Sequence, residues 1–158
     1  MYKKRITFFS LILTVLFAGN SCKKENSNPK SAYAGKYVLI SKTDFDTSTG
    51  ASETYTSTAS PCLSDNQTTL KDDGTWTGGY VGAEDCYVSR TPNSVTIIGA
   101  KGDAAAGQWV MSGSNRIKFT ASGNNASYGQ LSNVGGKVQL TFKDTSQNFI
   151  STSVLVKQ

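Results

Sequence analysis

The chain has 158 residues, no histidine, and 16 basic against 11 acidic residues. The basic excess is N-terminal: Lys3, Lys4, Arg5, Lys23, Lys24 and Lys30 face only Glu25, so Ser31 to Gln158 carries ten residues of each sign. A neutral body has no basic footprint for nucleic acid and no field to steer a charged partner, and without histidine there is no Ser-His or Cys-His catalysis.

After Met1 and Tyr2 come Lys3-Lys4-Arg5, an apolar run from Ile6 to Ala18, then Gly19-Asn20-Ser21 and Cys22. The run suits the core of a secretion signal and falls short of the roughly 20 residues of a membrane-spanning helix. No stop-transfer pattern follows. The stretch resembles the lipobox of Gram-negative lipoproteins, and KKENSNPKS after the cysteine resembles the export tag of some surface lipoproteins. That resemblance implies a signal peptide over residues 1–21, lipid attachment at Cys22, and anchoring to the outer membrane, exposed at the surface if the tag operates. Two or three acyl chains hold firmly where one holds marginally. An ordinary signal cut before a bystander Cys22 and an uncleaved anchor are the alternatives. Residues 22–33 then read as a lipidated N-terminus and flexible polar tether, and residues 34–158 as one domain.

The body is rich in Thr, Ser, Gly and Asn, is poor in Leu, and has no helix-forming run, which is an all-β composition. In chain order, Lys36–Ser41 is a strand apolar on both faces, Thr43–Gly50 a turn or loop, and Ser52–Ser57 a polar edge strand. Pro61 to Asn66 marks a bend. Gln67–Leu70 and Thr75–Tyr80 form a hairpin around Asp73-Gly74, residues that tolerate positive φ. Cys86–Arg90 and Ser94–Ile98 are short strands, and Ala100–Gly107 a loop. Gln108–Ser112, Arg116–Ala121, Ser127–Ser132, Lys137–Lys143 and Phe149–Val156 follow as strands, with strict alternation in Arg116–Ala121 and Lys137–Lys143.

Cys62 and Cys86 remain for a compartment that permits disulfides. A bridge would close a loop of about 25 residues and stabilise by about 3 kcal/mol. Two free thiols or metal ligation are the alternatives, though two thiols without histidine are too few for a zinc site. Short strands joined by hairpin-length turns predict one antiparallel β-barrel of about 8–10 strands, because closure removes the edges. A two-sheet sandwich is the alternative.

Gly35-Lys36-Tyr37, the Pro61-Cys62 to Asn66 segment, Lys71-Asp72-Asp73-Gly74-Thr75-Trp76, Cys86, Gly107-Gln108-Trp109 and Lys137–Phe142 occur in an order that resembles the lipocalin-like domains of bacterial surface lipoproteins. Tyr37 stands where lipocalins carry tryptophan, and Lys157 is the nearest cation on the last strand to the barrel base. The resemblance implies a barrel that binds a small molecule.

Tyr37, Trp76, Trp109, Met111, Phe119 and Phe142 are expected to point inward. They read either as the lining of a pocket for an apolar ligand or as a filled core, since barrels of about eight strands can be plugged by side chains. Asp44 with Asp46, and Glu84 with Asp85, read as solvated loop carboxylates. Asp72-Asp73-Gly74 reads as a turn, not a calcium loop, and the sequon at Asn66-Gln67-Thr68 as chance. No catalytic residue, metal ligand or cofactor is expected. The function expected is a membrane-anchored binding lipoprotein holding a small hydrophobic ligand. The alternative is a non-catalytic accessory subunit docked on an outer-membrane protein.

Overall fold

The computed structural model describes residues 29–91, 94–121 and 125–158; the expected signal peptide, Cys22 and most of the expected tether lie outside the described residues. A helical turn, α1 (Pro29–Tyr33), precedes the strands β1 (Gly35–Asp46), β2 (Ser52–Thr56), β3 (Asn66–Leu70), β4 (Thr75–Tyr80), β5 (Cys86–Thr91) and β6 (Ser94–Gly99). There follow β7 (Ala104–Met111), β8 (Arg116–Ala121), β9 (Ala126–Val134), β10 (Lys137–Ser146) and β11 (Phe149–Lys157).

Antiparallel pairing runs β1-β3-β4-β7-β8-β9-β10-β11, and β11 pairs back onto β1. The wall is therefore a closed eight-stranded antiparallel barrel and not a two-sheet sandwich. Such closure leaves no sheet edge along the paired lengths. β2 extends the wall beside the second half of β1, and β5 and β6 form a separate hairpin between β4 and β7.

Turn chemistry fixes the register. Gly135 and Gly136 have φ of 58° and 79°, and they close β9 onto β10 with Val134 opposite Lys137. Both central residues of such a tight turn need positive φ, which glycine supplies without strain. The β3–β4 turn is held by Asp73, whose Oδ1 accepts from the Thr75 backbone N–H at 2.8 Å and from its hydroxyl at 2.6 Å.

Several segments differ from expectation. β1 continues to Asp46 through the stretch read as a loop, because Thr43–Phe45 pairs with β2 on one side and β11 on the other. Two ladders outweigh a turn-like composition. Ala104–Gly107 is strand as well, through its single ladder with Trp76–Gly79. The bend at Pro61–Asp65 is a 3-10 turn, and the end of the expected tether is helical from Pro29.

Residues directly opposite across a ladder share a face. The inner face at one end of the barrel, its base, carries the fully buried Tyr37, Leu70, Trp109, Ile117 and Leu140. The interior is stratified above them, and that stratification positions the site.

Candidate functional site

The base is filled and capped. Tyr37 donates its hydroxyl to the Tyr33 carbonyl at 2.7 Å, and Trp109 Nε1 donates to the Lys71 carbonyl at 2.9 Å. Lys30 places its ammonium 5.7 Å from the Trp109 ring centroid, and Lys157 donates to the Ala32 carbonyl at 3.0 Å. α1 thus closes the base through three contacts with inward side chains and the last strand. Burial, with Tyr33 beside it, pushes the Tyr37 hydroxyl pKa up to about 12.

The opposite end is polar inside. In β1, Leu39 faces Leu155 and Ser41 faces Val154, so Ile40 is an extra residue in the ladder. This bulge switches the inward positions from Tyr37 and Leu39 to Lys42 and Asp44, a re-aiming typical of bulges. One row above the apolar core then holds Tyr55, Lys42, Ser153 and Phe142; the next holds Glu53, Asp44, Ser151 and Asp144. Asp44 is only 8% exposed. Ser151 donates to its Oδ1 at 2.7 Å and Lys42 lies 3.5 Å from its Oδ2. The reading of Asp44 as a solvated carboxylate is therefore overturned: the bulge turns it inside, where an ion pair and a hydroxyl compensate its burial. Tyr55 donates to Glu53 at 2.6 Å.

Between this polar rim and the core lies a cavity of about 430 Å³ that opens to solvent. Leu39, Phe142 and Leu155 supply apolar wall, and Lys42, Thr68 and Ser153 supply polar groups. Residues Ile97 to Ala100, at the end of β6, roof it. The roof is tied down by the Cys62–Cys86 disulfide, whose Cα atoms are 5.6 Å apart, and by buried Leu63 and Val88. Asp85 accepts from the Lys101 backbone N–H at 2.7 Å and from the Tyr87 hydroxyl at 3.0 Å, and these bonds hold its carboxyl below the usual carboxylate range. Gly82 and Gly99 flank the Tyr80 ring, leaving room for no side chain at either position.

The six aromatic and methionine positions named from sequence divide by place. Tyr37 and Trp109 are wholly buried in the base, and Met111 packs half-buried against the core. Trp76 meets Phe119 edge to face and Phe119 meets Phe142 at a tilt, with ring centroids 5.6 Å and 5.2 Å apart. Phe142 lines the cavity; the other five do not. Trp76 Nε1 is buried without a hydrogen-bond partner among the described residues. Sequence reasoning missed Leu39, Lys42, Ser153 and Leu155. The last two lay on a strand of ambiguous register, and Lys42 turns inward only through the bulge. Among the described residues no cluster of acidic or cysteine side chains is built to hold a metal ion. No helix there is long and apolar enough to cross a membrane, which says nothing of a lipid anchor.

Comparison with known proteins found no matching family model, no similar curated protein and no similar solved structure.

Proposed function

We propose that this protein is a non-catalytic, lipocalin-like binding lipoprotein, anchored in the outer membrane through acyl chains on Cys22, that holds a small, largely apolar molecule in the barrel mouth. The observation that carries the reading is the cavity of about 430 Å³ above a filled base. Its size falls in the range of about 300–1,000 Å³ usual for ligand sites, and an apolar wall with a few convergent polar groups is the usual lining. The leader and Cys22 support the anchor.

Native mass spectrometry of the purified protein tests the binding reading. The expected result is a bound small molecule that Leu155→Trp, which fills the cavity, excludes. A bare protein that captures an outer-membrane protein would overturn it in favour of an accessory subunit. That second reading has its own support in Val81, Tyr87 and Ile97, which are 63%, 55% and 50% exposed on or beside the β5–β6 hairpin. Exposed apolar groups gathered in one region mark interaction sites. Radiolabelled palmitate on the mature chain, lost in Cys22→Ala, tests the anchor.

A further inference from the structure

The barrel wall is split on one side. β9 and β10 pair from Val134 and Lys137 as far as Gly129 and Phe142, and there the ladder stops. Beyond that point Ala126–Tyr128 pairs only with β8, and Lys143–Ser146 only with β11. The two strands leave a cleft of about 770 Å³ between them. Phe142 lines both this cleft and the mouth cavity, so the two spaces meet at this residue. Gly129 lies across from it and leaves the ring room.

The two lips of the split differ in charge. On the outer side Arg116 and Lys143 line the cleft and are exposed. The Arg116 guanidinium is stacked 4.0 Å from the Tyr128 ring centroid, which holds it at the lip. On the inner side Asp144, which also lines the cleft, shares a row with Ser151, Asp44 and Glu53, and these three carboxylates face one cation, Lys42, in the row below, which pairs with Asp44. A negative group is therefore disfavoured inside the mouth and favoured on the outer lip.

We infer that the mouth cavity and the β9–β10 split form one bipartite site for an anionic amphiphile. Its apolar tail lies past Phe142 in the cavity, and its carboxylate, phosphate or sulfate head sits on Arg116 and Lys143. This inference rests on the binding reading above and specifies the ligand class. The split lets a molecule longer than the cavity leave the barrel sideways, so its head need not enter the acidic interior. Both cations are at the surface and neither is part of the core, so replacing them leaves the fold intact.

The test uses the full chain carrying Cys22→Ala, so that no acyl anchor competes. The neutral dye N-phenyl-1-naphthylamine reports on the mouth cavity, and dodecyl phosphate, dodecanol and dodecylammonium are titrated as displacers. Arg116→Glu combined with Lys143→Glu is expected to weaken dodecyl phosphate by about tenfold or more, with the effect shrinking in high salt. Dye and dodecanol affinities stay unchanged in that variant. The inference is overturned, and the cavity reading kept, if the dye binds but the double variant holds dodecyl phosphate as well as the parent does. Tighter binding of dodecylammonium than of dodecyl phosphate overturns it equally. If neither dye nor any dodecyl compound binds the parent chain, both readings fall.

Discussion

The two ends of this barrel are built from the same strands and differ in what those strands point inward. β1, β10 and β11 contribute Tyr37, Leu39, Leu140 and Leu155 to the lower interior and Lys42, Asp44, Asp144, Ser151 and Ser153 to the upper. Below, aromatic and branched side chains fill the space and a helical turn closes it. Above, short and charged side chains leave a cavity, and its roof comes from outside the wall. The same barrel thus has a close-packed end and an end with an open cavity, and the one-residue bulge in β1 marks the border.

The comparison breaks first at Trp109. It is wholly buried, bonded to Lys71, and covered by Lys30. Trp109→Ala is expected to lower unfolding free energy by about 3–5 kcal/mol. Ser153→Ala, in the cavity wall, should change it by less than about 1 kcal/mol. Equal losses in a denaturant titration would mean that the mouth is as structural as the base.

The disulfide comes next. Replacing both Cys62 and Cys86 with serine removes about 3 kcal/mol by loop-closure entropy. Because β5 and β6 pair only with each other, the loss should concentrate there. Amide exchange is expected to quicken across β5, β6 and the 3-10 turn while β9 and β10 keep their protection. Uniform quickening would show that the roof and the wall unfold as one unit.

Much of the wall was legible because its strands alternate. Arg116–Ala121 and Lys137–Lys143 each turn the predicted side inward, and Asp73-Gly74 and Gly135-Gly136 turn where they should. The disulfide was legible because the body holds two thiols and no third. The mouth was not legible. Its decisive residues, Lys42 and Asp44, sit after a bulge that exists only through pairing with β11, and nothing in KYVLISKTD marks where the inward parity switches. The loop reading held over Ala100–Asp103 but failed at Ala104–Gly107, since the strand character there comes from β4 beside it. Aromatic side chains were the wrong guide to the cavity for a physical reason: in a narrow barrel the largest groups fill space, and cavities form where small residues stand.

A pH titration sharpens the picture of the base. Burial pushes the Tyr37 hydroxyl up to about 12 in the fold, against about 10 for a free tyrosine. The native state therefore holds that proton more tightly than the unfolded chain does. Its stabilising contribution is complete below about pH 10 and is lost as pH rises toward about 12. Thermal melts should show that alkaline fall, and Tyr37→Phe should flatten it while costing about 1 kcal/mol at neutral pH for the bond to Tyr33. An unchanged alkaline slope in Tyr37→Phe would assign the fall to another group.

The smallest effect is expected at Trp76, where the filled core meets the cavity wall through Phe119 and Phe142. Its indole N–H is buried with no partner among the described residues, whereas that of Trp109 is bonded. An unmade hydrogen bond on a buried donor is a standing penalty of about 1–3 kcal/mol. Trp76→Phe removes that penalty and keeps an aromatic edge against Phe119, at the expense of some buried area. The two terms oppose, and the net change should stay within about 1 kcal/mol. Trp109→Phe loses area and a satisfied bond together, so its loss should be plainly larger. The pair of denaturation midpoints decides the matter. If Trp76→Phe proves as damaging as Trp109→Phe, the Trp76 N–H is engaged by buried water, and the well-made part of the interior reaches higher toward the mouth than the side-chain bonds alone imply.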